Sequence, residues 1–577
     1  MRKERTSERY PQIFIVFFLF IIALIPRLIW LTHVPTGISN DELDYVVNAK
    51  SLFLTGRGLT GILSPIQISS TFPNAELISV IIAPFIGPFR FSLLAARFPF
   101  AIIGAFSVLL LYLLTKKLIG HKEAVAVGLV ACINPWNVYF SRTMYDAPVT
   151  TFFLLLGFYF VLSQKRWLIL SAIIPFLLAF HTYMGMMIIF PFFLIIALYF
   201  AYTDVKKNPY LKEYISVGLL CMLFVLRYMF MLPHMAGSAR LNELALPNSP
   251  AVSIMTDTER RLSIITPIQN LLNNKLTSYV KIQTEKYFGA FSPSLLFIHG
   301  DTKRIFTLFE HGFFYPLDAL FLLIGFGVLF ASNKRIFTFL TALILIAPIP
   351  TLASNEVTSY ASRSYLLQPM FLILIGAGIA YVYRTIRWKK MFIVCLFILY
   401  GVSLMNFASI YALRNPIANS ESANFSAHIM TQYAYREIAA GRNVIVVADS
   451  PKTQFKQYTF YTNGFTIPNA SAWANTYSKG QFQLGKFRAS SCITSEDVTE
   501  NTTVIIEGKP LCQTIPKVRR QFVIPLLADA GSVYEIYQGK TCSTQKLERF
   551  PHDILFSDLN IEKLSDERFC EKFIIEY

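Results

Sequence analysis

Long apolar runs separated by short polar connections occupy residues 1–411. The first run, residues 12–31, follows a basic N-terminus and is about twenty residues long, which predicts a retained membrane span rather than a signal peptide. A stretch at 76–89 is short and interrupted by proline and glycine, so we expect an interfacial helix there. The pattern predicts a polytopic α-helical membrane protein with about eleven transmembrane helices. The other predicted spans lie at residues 98–115, 124–140, 147–162, 167–180, 184–202, 215–232, 314–331, 336–353, 365–383 and 391–411.

Lysine and arginine residues cluster in every second connection between these runs. Because basic connections face the cytoplasm, the N-terminus is predicted to be cytoplasmic. The opposite, extracytoplasmic face then receives the two long connections, residues 32–96 and 233–312. We therefore expect a multi-pass protein of the plasma membrane whose polar chemistry lies on the outer face. The basic clusters lie at residues 116–122, 165–166, 206–212, 334–335 and 384–390.

The chain changes character after this membrane domain. Residues 412–577 have ordinary polarity, with strand-like patterns at 443–448 and 502–508 and a helical pattern at 423–440. We expect them to form an extracytoplasmic soluble domain of α/β type. Four of the seven cysteines lie in it, and the sequence leaves open whether they pair, since four cysteines allow three connectivities. These cysteines are Cys492, Cys512, Cys542 and Cys570.

Composition supports a membrane protein and argues against other classes. Hydrophobic residues make up 54% of the chain and charged residues 15%, with a mean hydropathy of +0.48, whereas soluble chains are about a quarter charged. The net charge of +17 comes from the basic connections, and no basic stripe with interleaved aromatic residues indicates a nucleic-acid partner. No CxxC pair or His/Cys cluster predicts a metal site, so a divalent cation is the one cofactor left open.

Charged residues at the predicted outer ends of the spans are the candidates for catalysis and substrate binding. The acids Asp41, Glu42 and Asp44 begin the first long outer connection. A lone arginine at such a position can simply reach the headgroups with its long side chain. Several arginines near acids instead suit a lipid-linked phosphate, because guanidinium binds phosphate oxygens and a carboxylate can take a proton from an attacking hydroxyl. The other charged residues concerned are Arg27, Arg97, Arg142, Asp146 and Arg363.

An ordered set of stretches resembles bacterial membrane glycosyltransferases of the GT-C fold. These enzymes are relatives of the dolichyl-phosphate-mannose–protein mannosyltransferases and of the lipid A aminoarabinose transferase. The resemblance covers most of residues 10–410, and the C-terminal part gives no independent identification. The stretches that carry it are "NDELDYVVNAKSLFLTGRGLTG" (40–61), "RFPFAIIGAFSVLLLYLLTKKLIG" (97–120), "NPWNVYFSRTMYDAPVTTFFLLLGFY" (134–159) and "FHTYMGMMIIFP" (180–191), with later outer loops at 287–318 and 348–369.

The resemblance implies transfer of one sugar, with inversion, from a polyprenyl-phosphate donor to an extracytoplasmic hydroxyl of a protein, lipid or glycan. The implied partners are this donor, the acceptor and the lipid bilayer. Asp41 and Glu42 match the family's first-loop acids, of which one is the catalytic base, and Asp41 is the preferred candidate. One departure is "STFPNAEL" (70–77), where many relatives have a lysine followed by two prolines and this chain keeps only Pro73. The candidates for donor-phosphate or substrate binding are Arg97, Arg142, Asp146, His181, Tyr183 and Arg363.

Other interpretations of the same residues stay open. Asp41 and Glu42 lie where a cap and first-turn acids stabilise the start of a helix, which predicts a structural role. His181, between two spans, fits a packing role as well as substrate binding. The alternative functions are a membrane transporter or lipid flippase, and a catalytically inactive scaffold. Transporters place ionisable residues at mid-membrane, whereas these acids lie at the outer mouth, which favours an enzyme.

Overall fold

The computed structural model groups the chain into two compact units. We call the first the helical unit; it comprises Met1–Ile29, Ser64–Leu77 and Phe100–Ile410. The second, the sheet unit, comprises Trp30–Leu63, Ile78–Pro99 and Tyr411–Tyr577. Most of the first predicted outer loop is therefore grouped with the C-terminal residues, and the division at residue 411 stays a prediction. The described residues are 9–59, 77–203, 208–231, 250–266, 268–353, 359–508, 520–528, 531–542 and 554–576.

Apolar helices form most of the helical unit. Their large side chains often stay exposed, for example Phe230 at 78% and Phe397 at 81%, as contact with lipid requires. Leu93–Leu118 begins in the sheet unit and continues in this one. The helices up to residue 231 are Arg9–Leu28, Leu93–Leu118, His121–Ile133, Pro135–Phe140, Asp146–Val161, Arg166–Ser171, Ile173–Thr182, Met184–Thr203 and Leu211–Met231. Those that follow are Pro250–Arg261, Gln269–Leu272, Lys275–Gly289, Pro316–Ser332, Lys334–Ile346, Tyr360–Arg363, Leu367–Thr385 and Lys389–Ser409.

The number of membrane spans is supported in part. Helices occur at each of the predicted positions, and several of them are short. The predicted run 124–140 is two helices, because Asn134 caps a new helix that starts at Pro135, with its side-chain oxygen accepting from the Asn137 N–H at 3.0 Å. The count of eleven therefore stays a prediction. Within the described ranges, the helices long and apolar enough to cross a membrane are Leu93–Leu118, Gly185–Thr203, Leu211–Phe230, Lys334–Ala353, Leu367–Thr385 and Lys389–Ala418.

The strands of the sheet unit are, in chain order, β1 (Asn443–Val447), β2 (Gln483–Leu484), β3 (Phe487–Ser490), β4 (Thr502–Glu507), β5 (Arg520–Pro525), β6 (Ser532–Tyr537) and β7 (Ile575–Glu576). Among the described residues they form one seven-stranded mixed sheet in the order β2-β3-β1-β4-β6-β5-β7. β1 runs parallel to both β3 and β4, and the remaining pairs are antiparallel. β4 is buried along almost its whole length, as expected of a strand covered on both faces.

Helices of the same unit, among them Phe425–Ala439 and Pro451–Tyr461, pack on this sheet. The loop helix, our name for Asn40–Thr55, packs on Pro451–Tyr461 and Ala470–Ser478. Both strand patterns and the helical pattern expected in the C-terminal part are observed, the last as Phe425–Ala439. Cys542 forms a disulfide with Cys570; Cys492 is also disulfide-bonded, and Cys512 lies outside the described residues. The other α-helices of the unit are Leu77–Ile86, Asn415–Ala418 and Asp566–Phe573.

Candidate active site

The loop helix begins with a reciprocal cap. The Ser39 hydroxyl accepts from the Glu42 N–H at 3.3 Å, and Glu42 Oε2 accepts from the Ser39 N–H at 3.0 Å. Serine followed three residues later by glutamate is the capping-box pattern, which satisfies two otherwise unpaired N–H groups at a helix start. Asp41 and Glu42 therefore lie in the first turn, and Asp44 just after it, of a helix whose start is held by its own side chains.

A buried ion pair holds this cap in place. Arg97 Nη2 lies 3.2 Å from Glu42 Oε2, and the exposed fractions of the two residues are 0% and 2%. Arg97 Nε also donates to Glu42 Oε1 at 3.3 Å. The remaining donors reach the carbonyl oxygens of Leu31, Pro35 and Gly37 at 3.4, 3.0 and 2.5 Å. Arg97 thus ties residues 31–37 to the helix start, and each of its three guanidinium nitrogens already donates within the protein.

The two neighbouring acids have opposite surroundings. Glu42 is buried, whereas Asp41 is exposed and Asp44 is partly buried. Lys456, on Pro451–Tyr461, forms an ion pair with Asp44. Burial lowers the pKa of Lys456 to about 8, and the negative charge of Asp41 partly opposes this by raising the pKa. Of the two acids predicted as base, Asp41 is therefore the one that is open to solvent.

The helical unit holds a second polar cluster, around Tyr183. This residue joins two apolar helices, and its hydroxyl is hydrogen-bonded to Ser362. Burial raises the pKa of Tyr183, the nearby charge of Asp146 raises it further, and Ser362 and Arg363 act in the opposite direction. Three predicted site residues, Asp146, Tyr183 and Arg363, are thus brought together. A small pocket lies beside them, lined by Thr151, Tyr183, Ser362, Arg363 and apolar side chains.

Arg363 presents an unused donor in this cluster. Its Nη1 is buried and has no hydrogen-bond partner among the described residues. Lys286, on Lys275–Gly289, is a second cation nearby: burial lowers its pKa, and so does the positive charge of Arg363. A buried guanidinium nitrogen without a partner is costly unless a ligand supplies an acceptor. The cluster is therefore suited to an anion.

Two residues hold the short helix that carries Arg363. Asp301 is 3% exposed, and its Oδ2 accepts from the Ala361 N–H at 2.8 Å. Its Oδ1 accepts from the Lys303 N–H at 3.0 Å. Trp136 Nε1 donates to the Ala361 carbonyl at 3.1 Å. Both polar backbone groups of Ala361 are thus held, so the position of Arg363 is set by residues distant in sequence.

The other predicted residues lie in more structural surroundings. Arg142 is 2% exposed, and its Nη1 donates to the carbonyls of Pro26 and Ile29, both at 2.7 Å, at the end of the first helix. Arg27 donates to the Ala23 carbonyl at 2.5 Å and to further oxygens of the helical unit. His181 is buried against Phe180, and neither ring nitrogen has a hydrogen-bond partner among the described residues.

Sequence reasoning missed Lys286, Asp301, Ser362 and Lys456. Lys286 directly precedes the outer-loop stretch 287–318, and Ser362 directly precedes Arg363. Their position in predicted outer segments was the one local signal, because their roles depend on contacts distant in sequence. Of the stretch "STFPNAEL" (70–77), which departs from the family pattern, residues 70–76 lie outside the described residues. Across the described part of the chain, no group of three or more His, Cys, Asp or Glu residues has a metal-holding arrangement.

The solved structures that are similar to this chain include those of an oligosaccharyltransferase and of ArnT. One is the archaeal oligosaccharyltransferase AglB from Archaeoglobus fulgidus with an inhibitory peptide and a dolichol-phosphate, at 10% identity and a TM-score of 0.42, over 87% of this chain and 70% of that one. ArnT from Cupriavidus metallidurans in the apo state has 11% identity and a TM-score of 0.47, over 90% and 97%. The same ArnT bound to undecaprenyl phosphate has 10% identity and a TM-score of 0.46, over 91% and 97%.

The resemblance of the chain to GT-C fold glycosyltransferases rests on the sequence stretches quoted above. No protein-family model matches the chain, and no curated protein matches it. At these identities and TM-scores, the similarity assigns neither an activity nor a substrate.

Proposed function

We propose that this protein transfers one sugar from a polyprenyl-phosphate-linked donor to an extracytoplasmic hydroxyl acceptor, with inversion at the sugar carbon. The observation that carries the proposal is the anion-suited cluster of the helical unit. Arg363 offers a buried donor without a partner among the described residues, and Lys286 adds a second positive charge. The family resemblance of residues 10–410 supports the same chemistry. The N-terminus is proposed to be cytoplasmic and residues 412–577 extracytoplasmic, as the basic connections indicate.

The cluster suits a phosphate that leaves during the reaction. A phosphate oxygen at Arg363 Nη1 would supply the missing acceptor through a charge-assisted hydrogen bond. As the bond between the sugar carbon and the phosphate oxygen breaks, its electron pair stays on the phosphate. The charge of Arg363 and Lys286 stabilises this growing negative charge, which is usually the largest contribution to such catalysis. Residues 70–77 lack the lysine that many relatives have in the first loop, and we assign Lys286 to supply that positive charge.

The acceptor side requires a base, and Asp41 is the proposed group. The acceptor oxygen attacks the sugar carbon while its proton passes to the Asp41 carboxylate. Such help contributes about 10²–10⁴-fold in rate. Asp41 is exposed, whereas Glu42 is buried in the cap and paired with Arg97. We therefore assign Glu42 and Arg97 to holding the helix start, and Asp41 to proton transfer.

Turnover of lipid-linked sugars tests this function. Purified protein in lipid nanodiscs is mixed with a panel of polyprenyl-phosphate sugars and short hydroxyl acceptors, and release of polyprenyl phosphate is measured. We expect one donor to be consumed, and Arg363→Ala to lower the rate by about 10²-fold, the size of losing one charge-stabilising donor.

Arg261→Ala is the matched control, since Arg261 is an exposed arginine of the same unit. We expect it to keep the wild-type rate. Donor flipping across vesicles without release of polyprenyl phosphate would replace the proposal with a lipid flippase. An Arg363→Ala rate equal to that of Arg261→Ala would remove Arg363 from the mechanism.

A further inference from the structure

A lysine far along the chain lies against the acids of the loop helix. Lys456 is 5% exposed, so its charge is removed from water at a cost that a partner must offset. Its ammonium pairs with Asp44, and the charge of Asp41 acts on it as well. All three residues belong to the sheet unit. The lysine thus faces two carboxylates that are three residues apart on one helix, a spacing that puts both on the same side.

The start of the loop helix has further contacts with C-terminal residues. Asn424 Nδ2 donates to the Ile38 carbonyl at 2.9 Å and to Asn40 Oδ1 at 3.0 Å. A side chain added at Gly37 would meet the Ala423 carbonyl, so the two backbones are in close approach. These contacts hold the helix start against the C-terminal residues, and Lys456 supplies the charge at the same place.

Other groups near Pro451–Tyr461 are engaged elsewhere. From Phe425–Ala439, His428 stacks on Tyr461, with ring centroids 3.6 Å apart. From Ala470–Ser478, Tyr477 lies under Lys452, and from β3, Phe487 stacks on Tyr458. Tyr461 itself is influenced by the charges of Arg97, Glu562 and Glu42. Among the described residues, the ionisable groups that interact with the Lys456 ammonium are Asp44, through the ion pair, and Asp41, through its charge.

We propose that Lys456 is a positioning residue for the acceptor-side base: its ammonium holds Asp44 in place, and its charge favours the carboxylate form of Asp41 on the same side of the helix. This inference rests on the proposed function and deepens it, because it makes the C-terminal region part of the catalytic apparatus. Two like charges one turn apart repel each other and favour uptake of a proton by one of them. The buried cation that pairs with Asp44 opposes this preference. Without it, Asp41 would take up a proton at a higher pH than in wild type, and the acid limb of turnover would move upward.

The test compares three variants with wild type. Lys456→Met keeps the length of the side chain and removes the charge, and Lys456→Arg keeps the charge. Lys479→Met is the matched control, since Lys479 is an exposed lysine of the same unit. A carbodiimide reacts with protonated carboxyl groups, so its labelling of Asp41, followed by mass spectrometry against pH, reports ionisation without any turnover. The acid limb of the pH–turnover profile is measured in parallel.

We expect Lys456→Met to move both the labelling midpoint of Asp41 and the acid limb upward by about half a pH unit, because an opposite charge is lost and solvent screens part of its effect on the exposed Asp41. Its turnover should recover at higher pH. Lys456→Arg and Lys479→Met should keep the wild-type midpoint. An unchanged midpoint in Lys456→Met, or a loss of turnover equal at all pH values, overturns the inference and leaves Lys456 as a structural ion pair. Absence of wild-type turnover with a shifted midpoint would instead contradict the proposed function.

Discussion

Removing the Glu42 carboxylate should release the start of the loop helix. Glu42→Ala deletes the bond to the Ser39 N–H, and losing a helix cap costs about 1 kcal/mol. It also leaves Arg97, which is 0% exposed, without its counter-charge, and breaking a buried pair costs about 3–5 kcal/mol. We therefore expect a local destabilisation of about 4 kcal/mol or more. The loop helix should open while the rest of the sheet unit stays folded.

Hydrogen exchange measures this opening directly. A loss of about 4 kcal/mol corresponds to about a thousandfold faster exchange of the amides of Asn40–Thr55. Asp41→Asn is the matched control, since it changes the neighbouring exposed acid and leaves the capping box in place. Its exchange should equal that of wild type.

A double variant separates the buried charge from the cap. Glu42→Leu combined with Arg97→Met removes both charges and fills the site with apolar atoms. Replacing a buried pair in this way is often neutral, so the double variant should exchange more slowly than Glu42→Ala. Wild-type exchange in Glu42→Ala would refute the structural role of Glu42. A double variant that opens more than the single one would show that the uncompensated charge of Arg97 is not the cause.

The remaining predictions address other parts of the molecule. Asp301→Ala should raise the donor KM several-fold in saturation curves, because the helix carrying Arg363 loses its tertiary cap; an unchanged KM would reject the positioning role. Cys542→Ser should lower the free energy of unfolding by about 3 kcal/mol in melting or denaturant curves, through greater freedom of the unfolded chain, and equal stability would contradict this. A cysteine at Glu500 should react with an impermeant maleimide on intact cells and one at Lys334 only after permeabilisation, and the reverse pattern would invert the orientation.

Local sequence patterns predicted where helices and strands lie along the chain, but not how they are arranged in space. The strands at Asn443–Val447 and Thr502–Glu507 follow from short apolar runs bounded by polar residues. The break at Asn134 also has a local sequence signal, a capping residue followed by proline. The apolar run continues across it, however, and therefore predicts a single span. The strand order of the sheet depends on pairings between distant segments, such as β1 with β4, which no local pattern encodes.

The residue types of the candidate site could be predicted from the sequence, whereas the surroundings of each residue could not. Asp41 and Glu42 both match the family's first-loop acids, with Asp41 preferred. Their surroundings differ because Glu42 is buried against Arg97, which is 55 residues away. Lys456 reaches the same helix from the C-terminal region, where the polarity pattern predicted only a soluble helix-and-strand domain. Such surroundings arise from tertiary contacts between distant segments, which no local sequence pattern encodes.

Consumption of a polyprenyl-phosphate sugar by wild type and Asp41→Asn is the most direct test of the account. Asparagine keeps the size of the side chain and suits a helix start as well as aspartate does, yet it cannot take the acceptor's proton. We expect turnover to fall by at least about 10²-fold, the lower end of base catalysis, with an unchanged melting temperature. Wild-type turnover in a folded Asp41→Asn protein would contradict the assignment of Asp41 as the base.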